Sequence, residues 1–316
     1  MFKKLLLATT VVMFASPALA EWPEKAIEFV IPFGAGGGAD IEGRLIAKGM
    51  SDVLGVPVVP INKPGAGGAV TYTYVKDAKP DGYKLAWNSL SILTTTNIGN
   101  VPFDYTALDH VARSHFQPLA FYVNASSDWK TMGDLVEYCK ANPNKVKIGH
   151  HGTGSSSHLV AVVMQKMTGC QATLLPLKGN APLLSGEINV MSDVLTGGIK
   201  LWEAGKFRIL THFTAERNAV IPDVPTMKEL GYDVAIEHFR GISVPKGTPD
   251  AVKAKIADAI IKAANSKAFT DLAKNKGFTV APTGAAEFEK MLAERNELVA
   301  NIMKDAGIYR SKKPKN

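Results

Sequence analysis

Short β-branched and aromatic runs alternate along this chain with stretches whose apolar residues recur every three or four positions, which predicts an α/β architecture. AIEFVIPF reads as a strand. DIEGRLIAKGMSDVL follows as an amphipathic helix with Ile41, Leu45 and Leu54 among its apolar positions, and VPVVPI as the next strand. NKPGAGG is a turn, AVTYTYVKDA a helix despite its β-branched content, and KPDGYKLAWNS a turn entering a strand. PLAFYVN and KVKIGHH read as strands of a second lobe, with the helix TMGDLVEYCKANP between them. The helix SHLVAVVMQKMTG comes next, then strands at ATLLPL, NVMSDV and KFRILTHF, and a surface connection with a helical turn at IPDVPTMKELGYDV. Two core-packing helices close the chain. The first takes Thr248 as N-cap and Pro249 as its first helical residue; the second repeats Phe288, Leu292, Val299 and Ile302 on one face.

The first twenty residues place Lys3 and Lys4 before an apolar run that ends in Ala18-Leu19-Ala20, the pattern of a secretory signal peptide. The mature chain is then expected to begin near Glu21, outside the cytoplasm, without a lipid anchor. About 300 residues remain, more than one ordinary core serves, so two lobes are expected. Removing Lys3 and Lys4 lowers the formal charge from +7 to +5, spread along the chain except for a basic tail at 310–316 expected to be disordered. No interleaved basic and aromatic surface of the kind that binds nucleic acid is present. Cys139 and Cys170 close successive helices in a compartment where disulfides persist, so either a bridge or two buried thiols fits the spacing.

The glycine-dense stretch IPFGAGGGAD sits between the first strand and the first helix, where backbone approaches a ligand closely. Gly34-x-Gly36-x-x-Ala39 satisfies a loose dinucleotide pattern, but the second strand ends in Asn62, where such a site needs an acidic residue for the ribose. In GHHGTGSSSHL the serines lack the second glycine of a hydrolase elbow. Its histidines lack the HExxH arrangement, and neighbours on a strand face opposite ways. Thr153, Ser155, Ser156 and Ser157 are instead capable N-caps of a helix whose first-turn amides attract an anion. The amides of Gly36, Gly37 and Gly38, with Asp40 ordering the loop, repeat that logic. Two anion sites in different lobes point to one molecule charged at one or both ends, against the alternative of two well-capped turns.

The ordered set WPEKAIEFVIPFGAGGGADIEGRLIAKGM, NKPGAGG, KPDGYKL, GTGSSSHL, PLKGNAP, AGKFRIL, IPDVPTMKELGY and GISVPKGTP resembles the periplasmic solute-binding receptors of tripartite tricarboxylate transporters, the Bug or TctC-like family. The likeness covers nearly the whole mature chain. It implies a Venus-flytrap fold, each lobe a mostly parallel sheet flanked by helices, with lobe one at 21–119 plus 239–309 and lobe two at 120–238. It implies a monomer that captures a small organic acid, mono- or dicarboxylate, and delivers it to a two-component integral membrane permease, with no catalysis, cofactor or metal. The implied ligand residues are Phe33, Gly36, Gly37, Gly38, Ala39, Asp40, Ser89, Thr153, Gly154, Ser155, Ser156, Lys178, Gly179 and Asp193. Arg240, in HFRGI, stands where the family often has an aromatic or aliphatic residue; in the cleft it would clamp a second carboxylate, elsewhere it is a hinge or surface arginine. Phe33, Trp87 and Leu177 are candidate apolar walls that would suit an aromatic acid. A sensor component of a signalling system would need the same closing cleft, and a secreted hydrolase would show turnover instead of stoichiometric binding.

Overall fold

The computed structural model describes residues 22–177 and 179–311. The leader expected at 1–20, Lys178 and residues 312–316 of the basic tail lie outside the described residues. Six strands form one sheet: β1 (Ile27–Ile31), β2 (Val58–Asn62), β3 (Lys84–Ser89), β4 (Leu108–Gln117), β10 (His238–Pro245) and β11 (Thr279–Gly284), in the order β11-β4-β10-β3-β1-β2. Five form a second: β5 (Leu119–Asn124), β6 (Lys147–His150), β7 (Thr173–Pro176), β8 (Val190–Val194) and β9 (Phe207–His212), ordered β7-β6-β8-β5-β9. The helices are α1 (Gly38–Leu54), α2 (Ala69–Lys76), α3 (Ser91–Ile98), α4 (Met132–Ala141), α5 (Ser156–Thr168), α6 (Ala181–Leu184), α7 (Leu195–Glu203), α8 (Asp250–Ala264), α9 (Lys267–Lys276) and α10 (Ala285–Asp305). The fold is α/β, two sheets flanked by helices.

Among the named strands of the described residues, parallel pairing joins β2-β1-β3 and β7-β6-β8. The strands at the two chain crossings add antiparallel neighbours: β4 and β10 pair with each other, and β5 pairs with β8 and β9. The first crossing takes one residue, Pro118, because β4 ends at Gln117 and β5 starts at Leu119. These crossing strands lie inside their sheets and run antiparallel to both neighbours, so each sheet is mixed, where the resemblance implied a mostly parallel one.

Strand alternation decides the layers. Ile27, Phe29 and Ile31 of β1 join Trp87, Ile242 and the buried faces of α1 and α8, while Val30 points to the opposite face. The repeat of α10 buries Phe288, Leu292 and Val299, with Ile302 half-buried. Phe288 reaches β10 because Gly241 has no side chain: a Cβ there would stand 2.6 Å from the ring. The α8 start lies one residue later than its sequence indicates. Pro249 is the N-cap, and Thr248 spends its hydroxyl on the carbonyl of Pro245, 2.8 Å away. At α4 the Thr131 side chain and the Asp134 carboxylate form a reciprocal capping box. Cys139, near the end of α4, is bridged to Cys170, just beyond α5, with Cα atoms 5.1 Å apart.

Candidate functional site: a cleft between the sheets

The loop after β1 is held from beneath. Gly36, at a φ of +79° that favours glycine, donates its N–H to Asp40 Oδ2 at 2.9 Å. Asp40 Oδ1 accepts from Arg44 Nε and Asn62 Nδ2, both at 2.9 Å, and Asn62 Nδ2 also reaches the Phe33 carbonyl at 2.9 Å. Burial alone would raise the Asp40 pKa; the hydrogen bonds from Arg44, Gly36 and Asn62 outweigh it and hold the carboxyl below its usual range. Asn62, the residue that spoils a nucleotide site, is thus the prop of the loop. Above it, Gly37 caps α1 with extended backbone and no side chain, leaving first-turn amides uncovered by any cap.

The second loop approaches from the other sheet. Ser155 caps α5, its Oγ accepting from His158 N–H at 3.1 Å, and Ser157 Oγ accepts from His151 N–H at 3.0 Å. Backbone meets backbone behind it: a Cβ on Gly67 would lie 2.6 Å from both Gly154 C and Ser155 N. Asn100 Nδ2 bridges the same seam, donating to Ala66 O at 2.9 Å and Thr153 O at 2.8 Å. Thr94 Oγ1 donates to the Gly154 carbonyl.

A third helix start completes the enclosure. Asp193, at the end of β8, takes the N–H of Val194 at 2.7 Å and His151 Nε2 at 2.8 Å, while Asn180 Nδ2 donates to its second oxygen at 3.2 Å. Burial works to lower the His151 pKa, but Asp193 prevails and raises it. Gly38 of α1 lies directly against this element: a Cβ there would be 2.7 Å from Val194 Cγ2 and 3.2 Å from Gly197 N.

Among the described residues, the cleft is lined by Phe33, Gly34, Gly37, Gly38 and Ala39 from the first loop and helix, Ser155, Ser156 and Ser157 from α5, His151, Asp193 and Val194, and Leu119, His238 and Arg240 from the crossing strands. The cavity they enclose is about 30 Å³, room for about one water molecule, so a larger ligand needs the cleft to open. The Arg240 guanidinium sits 5.7 Å from the Phe33 ring, whose other neighbour, His151, is edge-on at 6.2 Å. Arg240 is 2 % exposed; its Nε donates to Glu42 Oε2 at 3.2 Å, and its Nη1 has no protein partner. Glu42 also accepts from Gln117 Nε2 at 3.2 Å and lies 3.4 Å from His115 Nε2. Burial would raise its pKa, and His115 with Arg240 brings it below the ordinary value.

Several expected ligand residues are not among the cleft's lining. Gly36 and Asp40 form the loop's underside, and Thr153 and Gly154 belong to the backbone seam. Ser89 is fully buried, its Oγ accepting from Ser91 N–H at 3.2 Å. Gly179 borders open space, next to Asn180, which holds Asp193, and Lys178 lies outside the described residues. Trp87 is core, donating from Nε1 to the Ala39 carbonyl at 3.1 Å, and Leu177 packs near Gly149, so Leu119 and Val194 are walls in their place. His151 and His238 escaped the sequence reading. For His238 the signal was there: it precedes Arg240 by two residues, so one strand puts both on one face.

A family model described as the tripartite tricarboxylate transporter family receptor matches residues 43–308. The UPF0065 protein in the gbd 5' region of Cupriavidus necator is 34% identical over 257 residues, 79% of this chain and 78% of that protein. Protein BugT of Bordetella pertussis is 27% identical over 303 residues, 93% of each. Among solved structures, the periplasmic binding protein BugD superposes with a TM-score of 0.87 at 28% identity, covering 91% of this chain and 99% of that one. The R. palustris protein Rpa4515, solved with adipate, gives a TM-score of 0.85 at 26% identity over 92% and 99% of the two chains.

Proposed function

We infer what this chain does from one premise: it belongs to the tripartite tricarboxylate transporter receptor family, and it is a solute-binding receptor, not an enzyme. Its ligand is a small organic carboxylate, held in the cleft between the sheets. The observation that carries this is the Arg240 guanidinium, buried with Nη1 unpartnered, facing a cleft whose opposite rim is made of the first turns of α1 and α5. A buried charged donor left unpaired is costly, and a carboxylate supplies the missing acceptor. The uncapped first-turn amides of α1 attract the same charge, whereas at α5 Ser156 and His158 already give theirs to Ser91 and Ser155. Phe33, Leu119 and Val194 supply apolar walls for the body of an acid once the cleft opens to admit it. The adipate bound by Rpa4515 is a ligand of that class.

The lobes follow the two sheets, residues up to 117 with 238–309, and 119–237, each crossing one or two residues from the expected bound, hinged at Pro118 and ahead of β10. The signal peptide at 1–20 sends the chain to the periplasm, where the loaded, monomeric receptor hands its acid to a two-component membrane permease. A thermal-shift panel on protein refolded to strip bound ligand tests the reading. A ligand at 100 times its Kd adds about 2.7 kcal/mol of stability. Carboxylates should stabilise the protein and sugars should not; stabilisation by sugars alone would end the proposal.

A further inference from the structure

We propose that His238 is a specificity-determining residue of the cleft, presenting a fixed Nε2–H donor beside the Arg240 guanidinium, so that this end takes a second carboxylate and rejects a group bringing its own proton. The proposal rests on the carboxylate-receptor reading above and narrows it to diacids without an amino group at the far end.

His238 and Arg240 are two residues apart on β10, and both line the cleft. His238 is 1 % exposed, and its Nε2, like Arg240 Nη1, has no protein partner. Two buried nitrogens left unpaired, on residues that line one cavity, mark a place where a ligand supplies the partner.

Which nitrogen of the ring carries the proton follows from a count of protons. Ser156 N–H donates to Ser91 Oγ at 3.3 Å, Ser91 Oγ lies 3.2 Å from Ser156 Oγ, and Ser156 Oγ lies 2.9 Å from His238 Nδ1. If Ser91 gives its proton to Ser156, Ser156 turns its own onto Nδ1, and the neutral ring carries its proton on Nε2. The reverse order leaves the Ser91 proton without an acceptor among the described residues, and a Ser156 oxygen accepting from both neighbours leaves its own proton without one. Burial, reinforced by the Arg240 charge, keeps the ring neutral well below its ordinary pKa. His238 Nε2–H and Arg240 Nη1 are then two donors that no protein acceptor takes, Glu42 accepting from Arg240 Nε and Gln117, and Asp193 from His151, Asn180 and Val194. A carboxylate satisfies both. An ammonium meets two donors and the Arg240 charge. Ser156 is a positioning residue: it belongs to α5, across the cleft from β10, and sets the tautomer without needing the ligand.

Calorimetry on ligand-stripped protein tests this with straight-chain monoacids, diacids from succinate to suberate, and the matching ω-amino acids. The best diacid should bind about tenfold or more tighter than the monoacid of equal length, and the amino acid more weakly than either. His238→Leu should weaken diacids by a clearly larger factor than monoacids, so that the diacid preference collapses. His238→Gln, which can return an N–H near the Nε2 position, should restore part of it. Ring-nitrogen NMR of the wild type should find the proton on Nε2, and on Ser156→Ala a mixture. Equal binding of monoacids and diacids, a proton on Nδ1, or equal weakening of both acid series by His238→Leu would overturn the His238 proposal alone. Failure of every acid to bind the wild type would overturn the carboxylate reading, and this one with it.

Discussion

Gly38→Ala tests whether the cleft closes by bringing α1 onto α7. The added methyl would stand 2.7 Å from Val194 Cγ2, 3.2 Å from Gly197 N and 3.3 Å from Thr196 Cβ. Ordinary contact begins near 3.4 Å, so the worst overlap is about 0.7 Å. Val194 is β-branched and stiff at χ1, and Gly197 N is backbone, so neither neighbour can turn aside. The strain is relieved by separating the two helices. Overpacking of this kind costs about 1–3 kcal/mol, and the cost falls on the closed form alone if opening parts α1 from α7. Affinity for a diacid such as adipate should therefore fall by about 5- to 150-fold. Urea unfolding of the ligand-free protein should change little, because a cleft that opens escapes the clash. Calorimetry beside the unfolding curve decides it. A variant with unchanged affinity but ligand-free stability reduced by the full overpacking cost would show that α1 and α7 touch in both forms, and the reasoning would fail.

Two further outcomes follow from buried charge. Glu42→Gln leaves Arg240 fully buried without its counter-ion, so urea unfolding of the ligand-free protein should show a loss of about 3–5 kcal/mol, while the stabilisation gained from a bound diacid should grow as the ligand takes over the compensating role. A ligand-induced gain no larger than in the wild type would place the carboxylate away from Arg240. For pH, burial pushes His110 down to about 4 from an ordinary 6.5. The native ring then refuses a proton that the unfolded chain accepts below pH 6.5, so its contribution is complete above that pH and fades as pH falls to about 4, a loss of about 3 kcal/mol. His150, pushed down to about 3, acts in the same direction. His151, raised by Asp193 against its burial, acts oppositely, its contribution present below the unfolded pKa and lost as pH rises through the folded one. Unfolding curves between pH 7 and pH 4.5 should be flatter in His110→Gln; an identical pH slope would refute the assignment.

The strands and helices that carry a plain apolar period were legible in the chain itself. β1, α1, β2 and α10 lie where the pattern puts them, because period two and period 3.6 each bury one face whatever the partner. The elements that escaped carry their information in long-range contacts. β4 and β10 are lined with His110, Arg113, His115, His238 and Arg240, residues that read as surface until each finds a buried partner. α3 is a Thr-rich segment buried over all eight residues, which local propensity argues against and tertiary packing overrides.

The site divides in the same way. Glycine and serine at helix starts mark anion-attracting ends from sequence alone, because unpaired first-turn amides are a property of any helix. That the two ends face one cleft, that Asp40 works beneath its loop and Asp193 within the cleft, and that Arg240 and His238 turn inward side by side, are matters of register and chain crossing. No local pattern encodes them: they depend on Pro118 passing the chain from one sheet to the other, and on Glu42, nearly two hundred residues from Arg240 in sequence, waiting at the bottom of the cleft to hold it.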